Sequence, residues 1–248
     1  MTRVRKAHLS GGAFIACGIC QSHTVTVDMK IARPIHAVLA LVLALAVAGP
    51  REALAADWSP LSREEAVERL DSRDPAQRRA ALGRLAEVGS AEDVPRMLRR
   101  LWDDDDMVRG MAEQAIWGLW LRANDSSVDP MFQVGIDLVQ QNRIRPAIEK
   151  FNEVIAAKPG FAEAWNKRGD AYASLGNYDR ALADYEHALE LNPYHFGVMQ
   201  SCGEIWLERR DARKAVDYFR RALEINPNLW NVATILRELD QRLENDRI

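Results

Sequence analysis

Apolar residues recur along most of the chain at three- and four-residue spacing, the pattern of helices that keep one face in a core. Before the repeat region, this predicts helices over Ser62 to Asp71, Pro75 to Val88, Ala91 to Trp102 and Asp106 to Arg122. Polar residues punctuate them: Ser62-Arg-Glu-Glu65 reads as a capping box, Asp74-Pro75 as an N-cap followed by proline at the first helical position, and Gly89 as a helix stop. At the far end, Leu229, Val232, Ile235, Leu236, Leu239 and Leu243 form one stripe with charged residues opposite, a helix that covers the end of a stack. Only the run Ile35 to Ala48 is apolar without a polar face.

Between these segments the landmarks repeat every 34 residues. Gly135, Gly169 and Gly203 are in register, as are Ala147, Ala181 and Ala215; Phe151, Tyr185 and Phe219; Pro159, Pro193 and Pro227. Small residues let two helices approach, aromatics fill the gaps between them, and proline closes each second helix. Gly176 and Asn177 read as the turn inside the middle unit. A fixed period of this length marks a solenoid. In the middle unit Trp165, Gly169, Tyr172, Ala181, Tyr185, Ala188 and Pro193 resemble the tetratricopeptide repeat, TPR; the third unit has Met199 for the first tryptophan, and the first unit is the most divergent. The resemblance implies two antiparallel helices per unit, in units of about 128–161, 162–195 and 196–229.

A weaker period of 31 precedes it. Asp74, Arg78, Ala81 and Leu85 align with Asp105, Arg109, Ala112 and Ile116, which resembles a pair of short HEAT-like repeats, with Gln77 where that pattern has valine. Trp102, Trp117 and Trp120 are assigned to the core of that pair or to its junction with the first TPR unit. The short linker at 123–127 suggests that the two arrays abut as one continuous superhelix. The expected fold is an all-α, right-handed α-solenoid: HEAT-like repeats over 57–122, the linker, three TPR units over 128–229 and a capping helix over 230–248.

The N-terminus reads as an address. Lys30 and Arg33 precede the apolar run, a Gly49-Pro50 break follows it, and Ala53-Leu54-Ala55 gives an A-x-A site, so 29–56 is a signal peptide cleaved near Ala55/Ala56. An uncleaved anchor is the alternative, and the one route by which the chain would touch a membrane. Residues 1–28 are neither periodic nor domain-like and read as a disordered start-site extension ahead of Met29. Cys17 and Cys20 have redox spacing without the strand-to-helix context that motif needs. That leaves Cys202 alone in the exported part, as a small buried hydrophobe.

Charge refines the picture. The first 56 residues hold six Lys/Arg and two Asp/Glu, so the remainder has 27 basic and 34 acidic residues, seven net negative charges. Nothing in that balance favours nucleic acid. The run Asp103 to Asp106 lacks the alternation, glycine and later glutamate of a calcium loop and reads as a solvated loop whose last acid caps a helix. His187 and His195 are the only histidines after residue 56, with no G-x-S-x-G, H-E-x-x-H or P-loop. No catalytic, metal-binding or cofactor-binding set is assigned.

By the TPR resemblance, the first helix of each unit lines a concave wall. Its partner-facing residues would be Phe132, Ile136 and Val139, then Asn166, Asp170 and Ala173, then Gln200, Glu204 and Leu207. The wall begins apolar and turns acidic, which suits a protein or peptide with apolar and basic side chains and argues against a carboxylate clamp. Phe132, Ile136 and Val139 would equally serve to dock the HEAT-like part. The expected function is an exported, non-enzymatic scaffold for protein–protein interaction in the bacterial cell envelope. The alternatives are an accessory subunit or chaperone of one envelope complex, and an enzyme with an unrecognised site.

Overall fold

The computed structural model describes residues 60–245. The expected signal peptide, the stretch before it and Cys17 and Cys20 lie outside the described residues. Every element within them is helical, and none is long and apolar enough to cross a membrane.

Helix α1 (Arg63–Arg69) opens with the complete capping box: Glu65 N–H donates to Ser62 Oγ at 3.1 Å, and Ser62 N–H to Glu65 Oε2 at 2.9 Å. Helix α2 (Pro75–Val88) is capped by Asp74, which accepts from the Ala76 N–H at 2.8 Å. Gly89 ends it in an extended conformation rather than a left-handed one; a Cβ there would sit 2.4 Å from the Leu85 carbonyl oxygen. The single helix expected over Ala91 to Trp102 is broken into a 3-10 turn (Ala91–Asp93), helix α3 (Val94–Leu98) and a second 3-10 turn (Arg99–Trp102). Its entry is fixed by Asp93, which accepts from the Ser90 N–H at 2.8 Å and from Arg63 at 2.9 Å, tying it to α1.

Helix α4 (Asp106–Trp120) is capped by Asp105, not by the last acid of its run. The run is solvated only in part: Asp104 and Asp106 are exposed, but Asp103 is buried and Asp105 half-buried. Arg78, buried in α2, donates to Asp103 at 2.6 Å and Asp104 at 2.8 Å, and Asp103 is buried with it. A guanidinium folded into a repeat core needs a carboxylate beside it, and this sequence supplies one from the next loop. The weak 31-residue period has a structural counterpart. Arg78 donates to the Ser72 carbonyl and Arg109 to the Asp103 carbonyl, each six residues back, and Asp74 and Asp105 cap the helices on which those arginines lie.

The next six helices form three hairpins whose bounds repeat every 34 residues. They are α5 (Val128–Gln140) with α6 (Ile144–Ala157), α7 (Ala162–Ser174) with α8 (Tyr178–Leu191), and α9 (Phe196–Glu208) with α10 (Ala212–Ile225). In each, the glycine of the first helix meets the aromatic sixteen residues on. A Cβ on Gly135, Gly169 or Gly203 would lie 2.5, 2.6 or 2.5 Å from the ring of Phe151, Tyr185 or Phe219. Helix α11 (Trp230–Asn245) covers the last hairpin, burying Val232 and Leu239 against Ala215, Val216 and Phe219.

The three internal turns are built alike. The second residue after the first helix has positive φ, at Asn142 (58°), Gly176 (71°) and Arg210 (59°), and the next N–H reaches back five residues to Leu138, Tyr172 or Trp206. This left-handed conformation is free for glycine, tolerated by asparagine and costly for arginine. Arg210→Gly is expected to raise stability by about 0.5–1 kcal/mol, the left-handed penalty less the added chain entropy, read as an upward shift of the urea midpoint.

The N-terminal helices reach further than an end-to-end stack on the first hairpin would. Trp117 and Trp120 pack on the start of the third: Trp120 stacks on His195 at 4.5 Å between ring centroids, and Trp117 lies edge-on to Phe196 at 5.4 Å. Leu101 accepts a hydrogen bond from Asn228 Nδ2 at 2.8 Å, across 127 positions of sequence. The junction therefore lies against the turns before and after the third hairpin rather than at the first unit. Trp102, assigned to that core, is instead 62% exposed, because the turn that buries Leu101 points its neighbour outward.

Candidate functional site

The nine residues named for the concave wall divide into two groups. Phe132 is 4% exposed and packs against Phe161 and Phe151, with ring centroids 4.9 and 5.9 Å away, so it serves the joint between the first two hairpins and is closed to a partner. Ile136 and Val139 are partly buried against the same cluster. Neither reading of these three anticipated this: they face their own repeats, not the N-terminal helices. Asn166 is 3% exposed and donates to Glu163 at 3.1 Å, so it too is closed off.

The remaining five lie on α7 and α9, and three of them meet. Asp170, Ala173 and Glu204 line a cleft of about 440 Å³ between these helices, joined by Tyr178, Tyr185 and Glu208. Gln200 is one turn before Glu204 and donates to it at 2.8 Å; Leu207 packs on the last hairpin's core. Sequence reasoning missed Tyr178 and Glu208. Glu208 was within reach, one helical turn beyond Glu204 on the same face. Tyr178 comes from the second helix of its unit, and a rule confined to first helices could not find it.

The cleft is acidic but its floor is tied down. Tyr185 donates to Asp170 Oδ1 at 2.8 Å, and Lys167 to Oδ2 at 3.0 Å. Burial, then the charge of Asp170 and the hydrogen bond to it, push the Tyr185 hydroxyl well above its ordinary value, so it stays a donor. Burial lowers the Lys167 ammonium, but Asp170 and Glu163 outweigh that and hold it above its usual range. Glu204 and Glu208 are exposed, and no cation lines the cleft.

Lys167 also reaches Glu163 at 3.4 Å, and Glu163 meets His195 Nε2 at 2.8 Å with both side chains fully buried. Burial raises the Glu163 carboxyl, but hydrogen bonding and charge from His195, the charge of Lys167 and the Asn166 amide more than reverse this, leaving it below its ordinary value. His195 caps α9, accepting at Nδ1 from the Val198 N–H, and carries Trp120 on its face. A continuous polar chain thus runs from Tyr185 through Asp170, Lys167 and Glu163 to His195, and from there to the N-terminal helices.

Cys202 is fully buried, and burial, with a smaller push from Glu186, drives its thiol up to about 12, which suits a packing role and not a nucleophile. His187 lies against Trp165 on the surface of α8 and pairs with Glu190.

Family models for the tetratricopeptide repeat match residues 162–195 and 207–229. A TPR repeat-containing protein of Rhizobium etli is 28% identical over 128 residues, covering 52% of this chain and 63% of that protein. The photosystem I assembly protein Ycf3 of Acaryochloris marina is 29% identical over 128 residues, covering 49% of this chain and 71% of that protein. Among solved structures, the first TPR of Spaghetti (RPAP3) bound to the HSP90 peptide SRMEEVD is 23% identical, with a TM-score of 0.46, covering 48% of this chain and 96% of that one. The chain spans less than two thirds of the Rhizobium etli relative. Matched residues, hairpin bounds and the glycine–aromatic contacts agree, and residues 162–229 of this chain are built of tetratricopeptide repeats.

Proposed function

We propose that the chain is an exported, non-enzymatic scaffold for protein–protein interaction in the bacterial cell envelope, and that it takes a partner segment bearing Lys or Arg between apolar residues into the cleft between α7 and α9. The observation that carries this is the cleft lining: Glu204 and Glu208, exposed and without an ion pair among the described residues, above an Asp170 already paired with Lys167, beside the apolar surfaces of Tyr178, Ile205 and Ala173. An acidic, partly apolar wall steers and holds a basic, partly apolar segment, and contributes to selectivity by repelling acidic ones. The signal-like run before residue 57 supports the export part of the reading.

The test uses a synthetic peptide of alternating Lys and Leu and its Glu/Leu counterpart, with binding followed by calorimetry. The Lys peptide should bind, weaken with added salt, and lose roughly tenfold in affinity in Glu204→Lys/Glu208→Lys, both sites being exposed and free of the core. Equal binding of the two peptides, or indifference to the double substitution, would count against the cleft. Recovery of the chain from the cytoplasmic fraction alone would count against export.

A further inference from the structure

A second cleft, of about 380 Å³, opens where the end of α4 faces the turns that lead into α7 and α9. Its volume lies in the range of small-molecule sites, and the proposed scaffold function makes no use of it. The walls are largely apolar and rich in aromatics: Trp120, Phe161, Leu191 and Tyr194 line it, and Leu191 and Tyr194 remain 39% and 46% exposed.

Two cations also line it, Arg122 and Lys158. Arg122 donates to the carbonyls of Ala86 and Glu87, and Lys158 to the carbonyl of Ala123. Carbonyls hold these groups in place without cancelling their charge, and no described carboxylate forms an ion pair with either. Asp125 feels the charge of Lys158, but its Oδ1 accepts from Ser127 and Val128. The one acid in the lining, Glu163, is committed to His195, Lys167 and Asn166. Among the lining side chains two cations thus stand against one committed carboxylate; Asp129, beyond the lining, is held by the N–H groups of Ala123 and Asp125.

We propose that this cleft binds a small organic anion, a carboxylate on an aromatic body. The carboxylate sits between Arg122 and Lys158, and the ring lies against Trp120 and Tyr194. Charge-assisted hydrogen bonds from two cations already held in place fix the head, and desolvation of the aromatic surfaces supplies most of the affinity.

Calorimetry on the full chain tests it with three probes: 2-naphthoate, the neutral 2-naphthylmethanol, and acetate. Naphthoate should bind one to one and roughly tenfold tighter than the alcohol, and acetate should not bind measurably. Lys158→Met and Arg122→Met, which keep an unbranched stem, should each lose roughly tenfold for naphthoate and leave the alcohol unchanged. Naphthoate held no tighter than the alcohol overturns the proposal, as does unchanged affinity in both variants when thermal unfolding shows them folded. The wild-type comparison of the two probes decides even if a variant fails to fold.

Discussion

Glu163→Leu is expected to cost about 1–3 kcal/mol, the range for leaving a buried hydrogen-bond donor, here the His195 Nε2–H, without its acceptor. The estimate suits this site because both Glu163 and His195 are fully buried and Lys167 keeps only Asp170 once the carboxylate is gone. Part of the loss should return in Glu163→Leu/His195→Leu, since two apolar side chains of similar volume leave no buried imidazole N–H without an acceptor. Urea unfolding at neutral pH reads both variants. The pH dependence follows from the direction of the Glu163 shift. Its carboxyl titrates below the ordinary value when folded, so the pair's contribution is complete above the unfolded-state value and is lost as pH falls through the lower folded value. Unfolding measured from pH 6 down to 3 should therefore show a steeper acid loss in the wild type than in the double variant. Parallel curves would mean that the pair contributes nothing through ionisation.

Phe219→Ala should cost about 3–5 kcal/mol, the usual range for emptying a fully buried aromatic site. The same contact can be approached from the opposite side. Gly203→Ala places a methyl 2.5 Å from that ring and should cost about 1–3 kcal/mol through overpacking. Combined with Phe219→Leu, it should cost less than the sum of the two single changes, because the smaller side chain vacates the space the methyl needs. A double-mutant cycle by urea unfolding measures the difference. Strict additivity would show that the glycine is not there to admit the aromatic.

How much of this was legible follows from where each signal sits. The repeats could be read because glycine, alanine and the aromatic at each 34-residue interval answer one steric demand inside each hairpin, and that demand is local. Asp74 and the Ser62–Glu65 capping box were readable for the same reason. Phe132 and Asn166 were not. A face rule says which side of a helix points toward the wall, but Phe132 is covered by Phe161 at the start of the second hairpin, and Asn166 is buried with its amide turned onto Glu163 of its own helix, so packing overrode the face. The N-terminal joint escaped for a similar reason. His195 looks like an ordinary turn histidine until a tryptophan 75 positions earlier is laid on it, and Asn228 gives no sign that its amide will reach Leu101. Asp103 was misjudged because its partner, Arg78, comes from the preceding helix pair, out of reach of a local reading.

The clasp between Leu101 and Asn228 also has a bearing on how the chain is made. Translation delivers the surfaces of Leu101, Trp117 and Trp120 long before the residues around 195 to 229 that cover them, so the front helices spend much of synthesis with bare aromatic surface. A chain halted before the third hairpin would keep that surface uncovered and invite aggregation, even with its first two hairpins fully formed.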